Sequence, residues 1–147
     1  MHSNLHIMLL FDLELALIAV KLEVADLEAA WNERFEADFG LKVDRPANGV
    51  MQDVHSPVGL FGYFPTYALG NVYAGCLCAA LTGAVPDWEE ARARGDAAPA
   101  PAGLRARVQR HGGVMEARAL IEQATGGPVS ERPLLDYLEA KFGALYG

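Results

Sequence analysis

The first residues of the chain are apolar at almost every position. Across residues 4–22 the polar positions are few, and the apolar ones lie on all sides of a helix drawn through the segment. A helix that is hydrophobic around most of its circumference is either buried on most sides or covered by a partner. We therefore expect a first helix with a candidate interface for another protein or a second copy, formed by Leu10, Leu13, Leu17 and Val20.

A four-residue apolar repeat follows, and it predicts a second helix over residues 27–39. Asp26 is suited to cap its start and Gly40 to end it. Residues 42–62 then contain Gly and Pro at short intervals, so they support no long helix. Within them, residues 50–54 could be a very short strand or an extended piece, although nothing nearby pairs with them convincingly.

Helical spacing returns after this irregular loop. Pro65 can occupy the first turn of a third helix, whose body we expect over residues 67–81. Later helices are predicted over residues 87–94, 104–110, 116–124 and 134–145, with the Ala- and Pro-rich residues 96–103 as a loop or linker. The expected fold class is therefore all-α. We expect a single helical domain over residues 1–147, an irregular bundle of five to seven helices with one ordered Gly/Pro-rich loop.

Charge and cysteine content narrow the function classes. The formal net charge of −7 disfavours nucleic acid and anionic membrane surfaces as partners. Asp12 and Glu14 interrupt the apolar N-terminal segment, which argues against a signal peptide or a membrane span. Cys76 and Cys78 are the only two cysteines, too few for a disulfide framework. We expect inert core thiols and a cytoplasmic protein.

No motif for metal-dependent or nucleophilic hydrolysis is present in the sequence. A helical zinc site needs two His one turn apart with a Glu beside them as general base. His2 and His6 have that spacing, but no Glu lies between them. A serine elbow, a P-loop and a G-x-G-x-x-G motif are also missing. We expect no metal or other cofactor on this chain, and His6 should pack against the neighbours of the first helix.

Residues 49–70 gather the polar and aromatic side chains that could form a site. The segment reads GVMQDVHSPVGLFGYFPTYALG and contains five candidates, Gln52, Asp53, His55, Tyr63 and Tyr67. Polar groups exposed by a Gly-bearing loop among water-excluding aromatics are typical of a binding cleft. The alternative is that Asp53 and His55 hold an awkward loop in place and that the tyrosines belong to the core.

This segment resembles the signature of the Taq-type thermostable zinc metallocarboxypeptidases. In that family G-x-x-Q-D-x-H-W runs into G-x-F-G-Y-F-P-T-Y-x-L-G-N, and this chain keeps Gln52, Asp53 and His55 of the first part and nearly all of the second. Shorter likenesses extend over essentially the whole chain. They include a likeness of residues 5–17 to the family's L-H-x-x-L-R-F-x-L-E helix and a closing P-x-L-x-Y-L…K-F/Y-G-x-L-Y over residues 133–146.

The resemblance implies a C-terminal part of a longer zinc enzyme that removes C-terminal residues from peptides. The family's HExxH ligands, catalytic Glu and a substrate-binding Arg precede the matched part, so zinc is not expected here and the lone chain should be inactive. By resemblance, His55 and Tyr67 help to bind the peptide and polarise its scissile carbonyl. Gln52, Asp53 and Tyr63 hold the loop.

Several residues depart from the family pattern. Ser56 replaces an expected Trp, Leu10 an expected Arg and Val20 an expected small residue. The changes at Leu10 and Val20 make the first helix more apolar, which suggests redesign or a partner. Three hypotheses stay open: a truncated or engineered fragment that self-associates, a subunit that completes a carboxypeptidase site with a separate N-terminal chain, and a protein-binding scaffold. Peptide C-termini are substrates only if an N-terminal region completes the site.

Overall fold

The computed structural model describes residues 2–147, and over these residues the chain is helical without any strand. It contains seven α-helices: α1 (His2–Ile18), α2 (Leu27–Phe39), α3 (Phe64–Ala84), α4 (Trp88–Ala93), α5 (Pro99–Arg107), α6 (Ala117–Thr125) and α7 (Arg132–Tyr146). The predicted all-α class with five to seven helices is confirmed.

Contacts within the chain divide it into two compact units. Unit 1 comprises Met1–Leu69 and unit 2 comprises Gly70–Gly147. The single domain expected from the sequence stays a prediction.

α1 and α2 form the helical hairpin of unit 1. α2 has the predicted boundaries, and Gly40 ends it with a left-handed φ of +67°. Asp26 precedes α2, but its side chain makes no capping hydrogen bond. Leu9 of α1 and Trp31 of α2 are among the most deeply buried side chains of the unit. The Trp31 ring stacks on Phe35 at 4.8 Å, so the four-residue repeat of α2 forms an aromatic row.

α1 ends four residues before the predicted boundary. Val20 has a φ of +55°, which breaks the helical path just after Ile18. The N–H of Lys21 then donates to the carbonyl of Ala16 at 2.8 Å and closes the helix end. A β-branched residue in the left-handed region is strained, because its Cβ crowds the backbone. This strain gives no signal in the apolar pattern, which continues past Ile18.

The irregular loop of unit 1 is built from short 3-10 turns. They cover Pro46–Asn48, Val50–Gln52 and Ser56–Val58. The strand considered for residues 50–54 is therefore wrong, because a 3-10 turn occupies its first half. The loop leads directly into α3, which begins at Phe64 and has Pro65 in its first turn, as predicted.

Unit 2 contains the rest of α3 and the four later helices. The expected linker over residues 96–103 is wrong in its second half, because α5 begins at Pro99. Asp96 Oδ1 accepts the N–H of Ala98 at 3.0 Å just before that helix. Cys76 is buried and both cysteines are free thiols. Gly75 is buried as well, and a Cβ placed there would lie 2.8 Å from the backbone nitrogen of Leu134.

α3 is long and apolar enough to cross a membrane by length and composition. It has 21 residues, and its most apolar 18-residue window has a mean hydropathy of 1.2, with 11% of that window buried. The core helix of a soluble protein also passes this test, so a single such helix is weak evidence. The expectation of no membrane partner stays a prediction.

Candidate functional site

Asp53 organises the irregular loop at the point where the candidate site begins. Its Oδ1 accepts the backbone N–H of His55 at 2.7 Å and that of Ser56 at 3.3 Å. Its Oδ2 accepts the hydroxyl of Ser56. A short acidic side chain that accepts the N–H two residues ahead fixes a tight turn. Asp53 therefore sets the direction in which the His55 side chain leaves the backbone.

The His55 ring lies within a cage of aromatic rings, which we call the His55 cluster: His55, Tyr63, Phe64 and Tyr67. The ring stacks on Tyr63 at 5.5 Å, lies 5.0 Å from Phe64 and meets the edge of Tyr67 at 5.6 Å. Its Nε2 lies 2.9 Å from the hydroxyl oxygen of Tyr67. Its Nδ1 lies 3.6 Å from Asp53 Oδ1. A carboxylate, an imidazole and a phenol are thus arranged in series.

The two tyrosines of the cluster face solvent. Tyr63 and Tyr67 are 42% and 44% exposed, whereas the His55 side chain behind them is 20% exposed. The hydroxyl of Tyr67 can therefore reach a ligand while it stays bonded to His55. When Nε2 carries the proton, the imidazole donates to the phenol oxygen and the Tyr67 O–H is free to donate to a carbonyl.

Gln52 lies apart from this arrangement. Its side-chain amide donates to the carbonyl of Ala47 and ties the second 3-10 turn to the first. The structure therefore brings four of the five predicted residues together, and Gln52 contacts its own loop. Each of the two alternatives left open by the sequence agrees with the structure in one respect. Asp53 holds the loop in place, as in the structural alternative. The tyrosines lie on the surface, as in a binding cleft.

Glu14 is a site-forming residue that sequence reasoning missed. It is 7% exposed, and its Oε1 accepts the backbone N–H of Gly62, just before Tyr63. Gly62 has a φ of +72°, which suits a residue without a Cβ. Two signals in the sequence point to Glu14: it is an acidic residue inside an apolar helix, and it takes the glutamate position of the L-H-x-x-L-R-F-x-L-E likeness.

The four residues of the expected interface fall into two groups. Three of them, Leu10, Leu13 and Leu17, are partly buried and line a cavity inside unit 1. Val20 is 80% exposed beyond the end of α1. Self-association through these residues stays a prediction.

The described residues do not fit a catalytic zinc ion. Within residues 2–147 no group of three or more His, Cys, Asp or Glu side chains converges as a set of metal ligands. The His2 ring packs against Phe39 at 5.4 Å, and the His6 ring meets the edge of Trp31 at 6.2 Å. Burial lowers the pKa of His6, and the negative charge of Asp53 opposes that shift.

Comparison with known proteins decides the family. The sequence profile described as Carboxypeptidase Taq (M32) metallopeptidase matches residues 1–142. The chain belongs to this family. Thermostable carboxypeptidase 1 of Thermus thermophilus is 44% identical over 144 residues, and Carboxypeptidase 1 of Bacillus subtilis is 35% identical over 142 residues. These matches cover 98% and 97% of the chain.

Solved structures of family members share the fold. The M32 carboxypeptidase of Deinococcus radiodurans R1 superposes with a TM-score of 0.91 at 40% identity over 98% of this chain. Metallocarboxypeptidase 1 of Trypanosoma cruzi does so with a TM-score of 0.87 at 29% identity over 94%. The chain spans 28% of the length of the curated M32 relatives and 29% of these two structures.

Proposed function

We propose that this chain forms the peptide-binding wall of an M32 carboxypeptidase cleft in the cytoplasm and that, by itself, it binds peptide C-termini without cleaving them. The observation that carries the proposal is the 2.9 Å contact between His55 Nε2 and the hydroxyl of the half-exposed Tyr67, with Asp53 behind the imidazole. This geometry supplies a hydrogen-bond donor to an incoming carbonyl oxygen.

Each residue of the wall has a separate part in this proposal. Tyr67 donates its O–H to the scissile carbonyl, since its side chain is half-exposed and its hydroxyl contacts His55. Donors preorganised toward a developing oxyanion stabilise a hydrolytic transition state. Asp53 holds the backbone from which His55 projects, and Gln52 holds the turn before it. Tyr63 stacks on the outer side of the imidazole and limits its contact with water.

We assign the hydrolytic part of the reaction to residues outside this chain. The zinc-binding part belongs, in this proposal, to the remainder of a longer protein or to a separate chain. Two observations support this assignment: the chain spans 28% of the length of the Thermus relative, and residues 2–147 gather no set of metal ligands.

A hybrid enzyme tests the proposal. The 144 matched residues of the Thermus relative are replaced by those of this chain, and carboxypeptidase activity is measured on a blocked dipeptide. We expect an active hybrid in which Tyr67→Phe lowers kcat about 10²-fold, the effect of losing one oxyanion donor. Tyr63→Phe is the matched control, because it removes the hydroxyl of a similarly exposed tyrosine and keeps the ring that stacks on His55; its kcat should stay within about threefold of the parent hybrid.

The isolated chain provides the second readout. We expect no tightly bound zinc and no release of C-terminal amino acids, together with NMR shift changes at Tyr67 on addition of the blocked dipeptide. Turnover by the pure chain would show that the hydrolytic part lies within it. An unchanged kcat in the Tyr67→Phe hybrid, or no shift at Tyr67 in the chain, would remove its role as a peptide contact.

A further inference from the structure

Unit 1 contains a cavity beside the His55 cluster, with which it shares only Phe64. Its volume is about 310 Å³, and it lies among α1, α2 and the irregular loop. Pockets of roughly 300 Å³ and above accept small molecules. The residues that line the cavity are mainly apolar. They include Leu10, Leu13 and Leu17 of α1 and Trp31 of α2. We call it the Glu14 cavity after its one deeply buried acidic residue.

Glu14 lines this cavity with half of its carboxylate bonded. Oε1 accepts the N–H of Gly62, whereas Oε2 is buried and has no hydrogen-bond partner within residues 2–147. A buried acceptor without a donor costs the full desolvation free energy of that oxygen. A ligand that brings an N–H donor into the cavity would recover this free energy.

The charge of the residues that line the cavity favours a ligand with a positive charge. Asp53 is a second carboxylate in the lining of the cavity, and none of the lining residues is Lys, Arg or His. The formal net charge of the whole chain is −7, so the surrounding field also favours a cation. An anion would be repelled by both carboxylates, and a neutral alcohol would lack the charge-assisted bond to Glu14.

We propose that the Glu14 cavity binds a small primary alkyl amine in its protonated form. The ammonium group donates to Oε2 of Glu14, and the alkyl stem lies along the leucines of α1 and the Trp31 ring. His55, Tyr63 and Tyr67 do not line the cavity, whereas Asp53 lines it and also supports His55 in the proposed peptide wall, so the two sites are neighbours that share Asp53.

NMR titration of the complete chain tests this proposal. Hexylamine is the probe, and hexan-1-ol is a neutral probe of matched length. The reporters are the Gly62 amide and the Trp31 indole N–H, which is assigned from a Trp88→Phe spectrum because the chain has two tryptophans. We expect saturable shifts at both reporters and an affinity for the amine about tenfold higher than for the alcohol, the usual worth of a charged hydrogen bond.

Two variants and one control give the test its specificity. Glu14→Gln keeps the size of the side chain and an acceptor for Gly62, and it should abolish the preference for amine over alcohol. Leu10→Arg places a guanidinium one helical turn from Glu14, within reach of its carboxylate, and it should abolish amine binding while circular dichroism stays helical. Glu28→Gln, an exposed position on α2, should bind hexylamine like the parent.

Three results would overturn the proposal. The first is equal affinity for hexylamine and hexan-1-ol in the parent chain. The second is a preference for the amine that survives Glu14→Gln. The third is a set of Gly62 and Trp31 shifts that depends on the concentration of the chain and not on the amine, because a second copy would then occupy the cavity.

Discussion

The irregular loop of unit 1 and the approach of Gly75 to Leu134 in unit 2 depend on different kinds of contact. In unit 1 the loop before α3 is fixed by polar bonds, above all those that Asp53 accepts from His55 and Ser56. In unit 2 two segments approach so closely at Gly75 and Leu134 that there is no room for a methyl group. A hydrogen bond fixes the direction of the groups that it joins, whereas close packing limits the volume that a side chain can occupy. A binding loop needs directed side chains, and the loop before α3 is accordingly fixed by polar contacts.

The close packing at Gly75 predicts the largest effect on the free energy of unfolding. Gly75→Ala would put a Cβ 2.8 Å from the nitrogen and the Cβ of Leu134, so one of the two segments must shift. We expect a loss of about 2–3 kcal/mol in the free energy of unfolding, typical of overpacking. Urea unfolding followed by Trp88 fluorescence in a Trp31→Phe background measures it. Gly83→Ala in the same helix has open space at its Cβ and should gain about 0.5–1 kcal/mol.

The hydrogen bonds of Asp53 predict a smaller loss in the free energy of unfolding. Asp53→Ala removes the acceptor of two backbone N–H groups and one hydroxyl, and we expect a cost of about 1–2 kcal/mol. The near-ultraviolet circular dichroism of the rings around His55 should weaken at the same time. Asp53→Asn keeps an acceptor oxygen and should restore part of both signals. An intact aromatic signal in Asp53→Ala would mean that the rings alone position His55.

Backbone strain at the end of α1 predicts a gain. Val20 has a φ of +55°, and removing its side chain relieves about 1–2 kcal/mol of strain, less the 0.5–1 kcal/mol by which Gly favours the unfolded chain. Val20→Gly should therefore raise the stability of unit 1 by roughly 0.5–1 kcal/mol in a urea unfolding curve. Ala16→Gly, within the helix, should lower it by about 1 kcal/mol. Equal losses in both variants would contradict the strain at Val20.

The smallest effect concerns pH. Burial lowers the pKa of folded His6 below its ordinary value of 6.5, so the unfolded chain binds more protons at acidic pH. The contribution of His6 to stability is therefore complete above about pH 6.5 and is lost as the pH falls through 6.5 toward the lower folded pKa. Replacing His6 by Gln removes this dependence. Unfolding curves at pH 8 and pH 5 should show the variant improving relative to the parent at pH 5.

Local signals in the sequence were enough for some elements. α2 has an apolar repeat, and Gly40 takes the left-handed conformation that ends it, so its boundaries were predicted correctly. The end of α1 was missed because Val20, a β-branched residue, takes a conformation that its type disfavours. The start of α5 was missed because Pro99 in an Ala- and Pro-rich segment suggested a linker, although Pro also fits the first turn of a helix.

The candidate site shows the same division between local and distant contacts. Asp53, His55, Tyr63 and Tyr67 lie within fifteen residues, and the structure does bring them together. Glu14 contacts Gly62 across a separation of 48 residues, and no pattern in a single sequence reports such a pair. The irregular loop was predicted from its Gly and Pro content, but its 3-10 turns depend on φ values that composition does not specify.

The bond between Glu14 and Gly62 makes the loop depend on the register of a distant helix. Successive residues of an α-helix are rotated by about 100° around its axis. Deleting one residue between Leu9 and Glu14 would therefore turn the carboxylate by about 100° relative to Leu9 and move one of the two out of place. The number of residues between Leu9 in the core and Glu14 at the loop is thus constrained in this protein. Sequence drift can change the residues between them more readily than it can change their number.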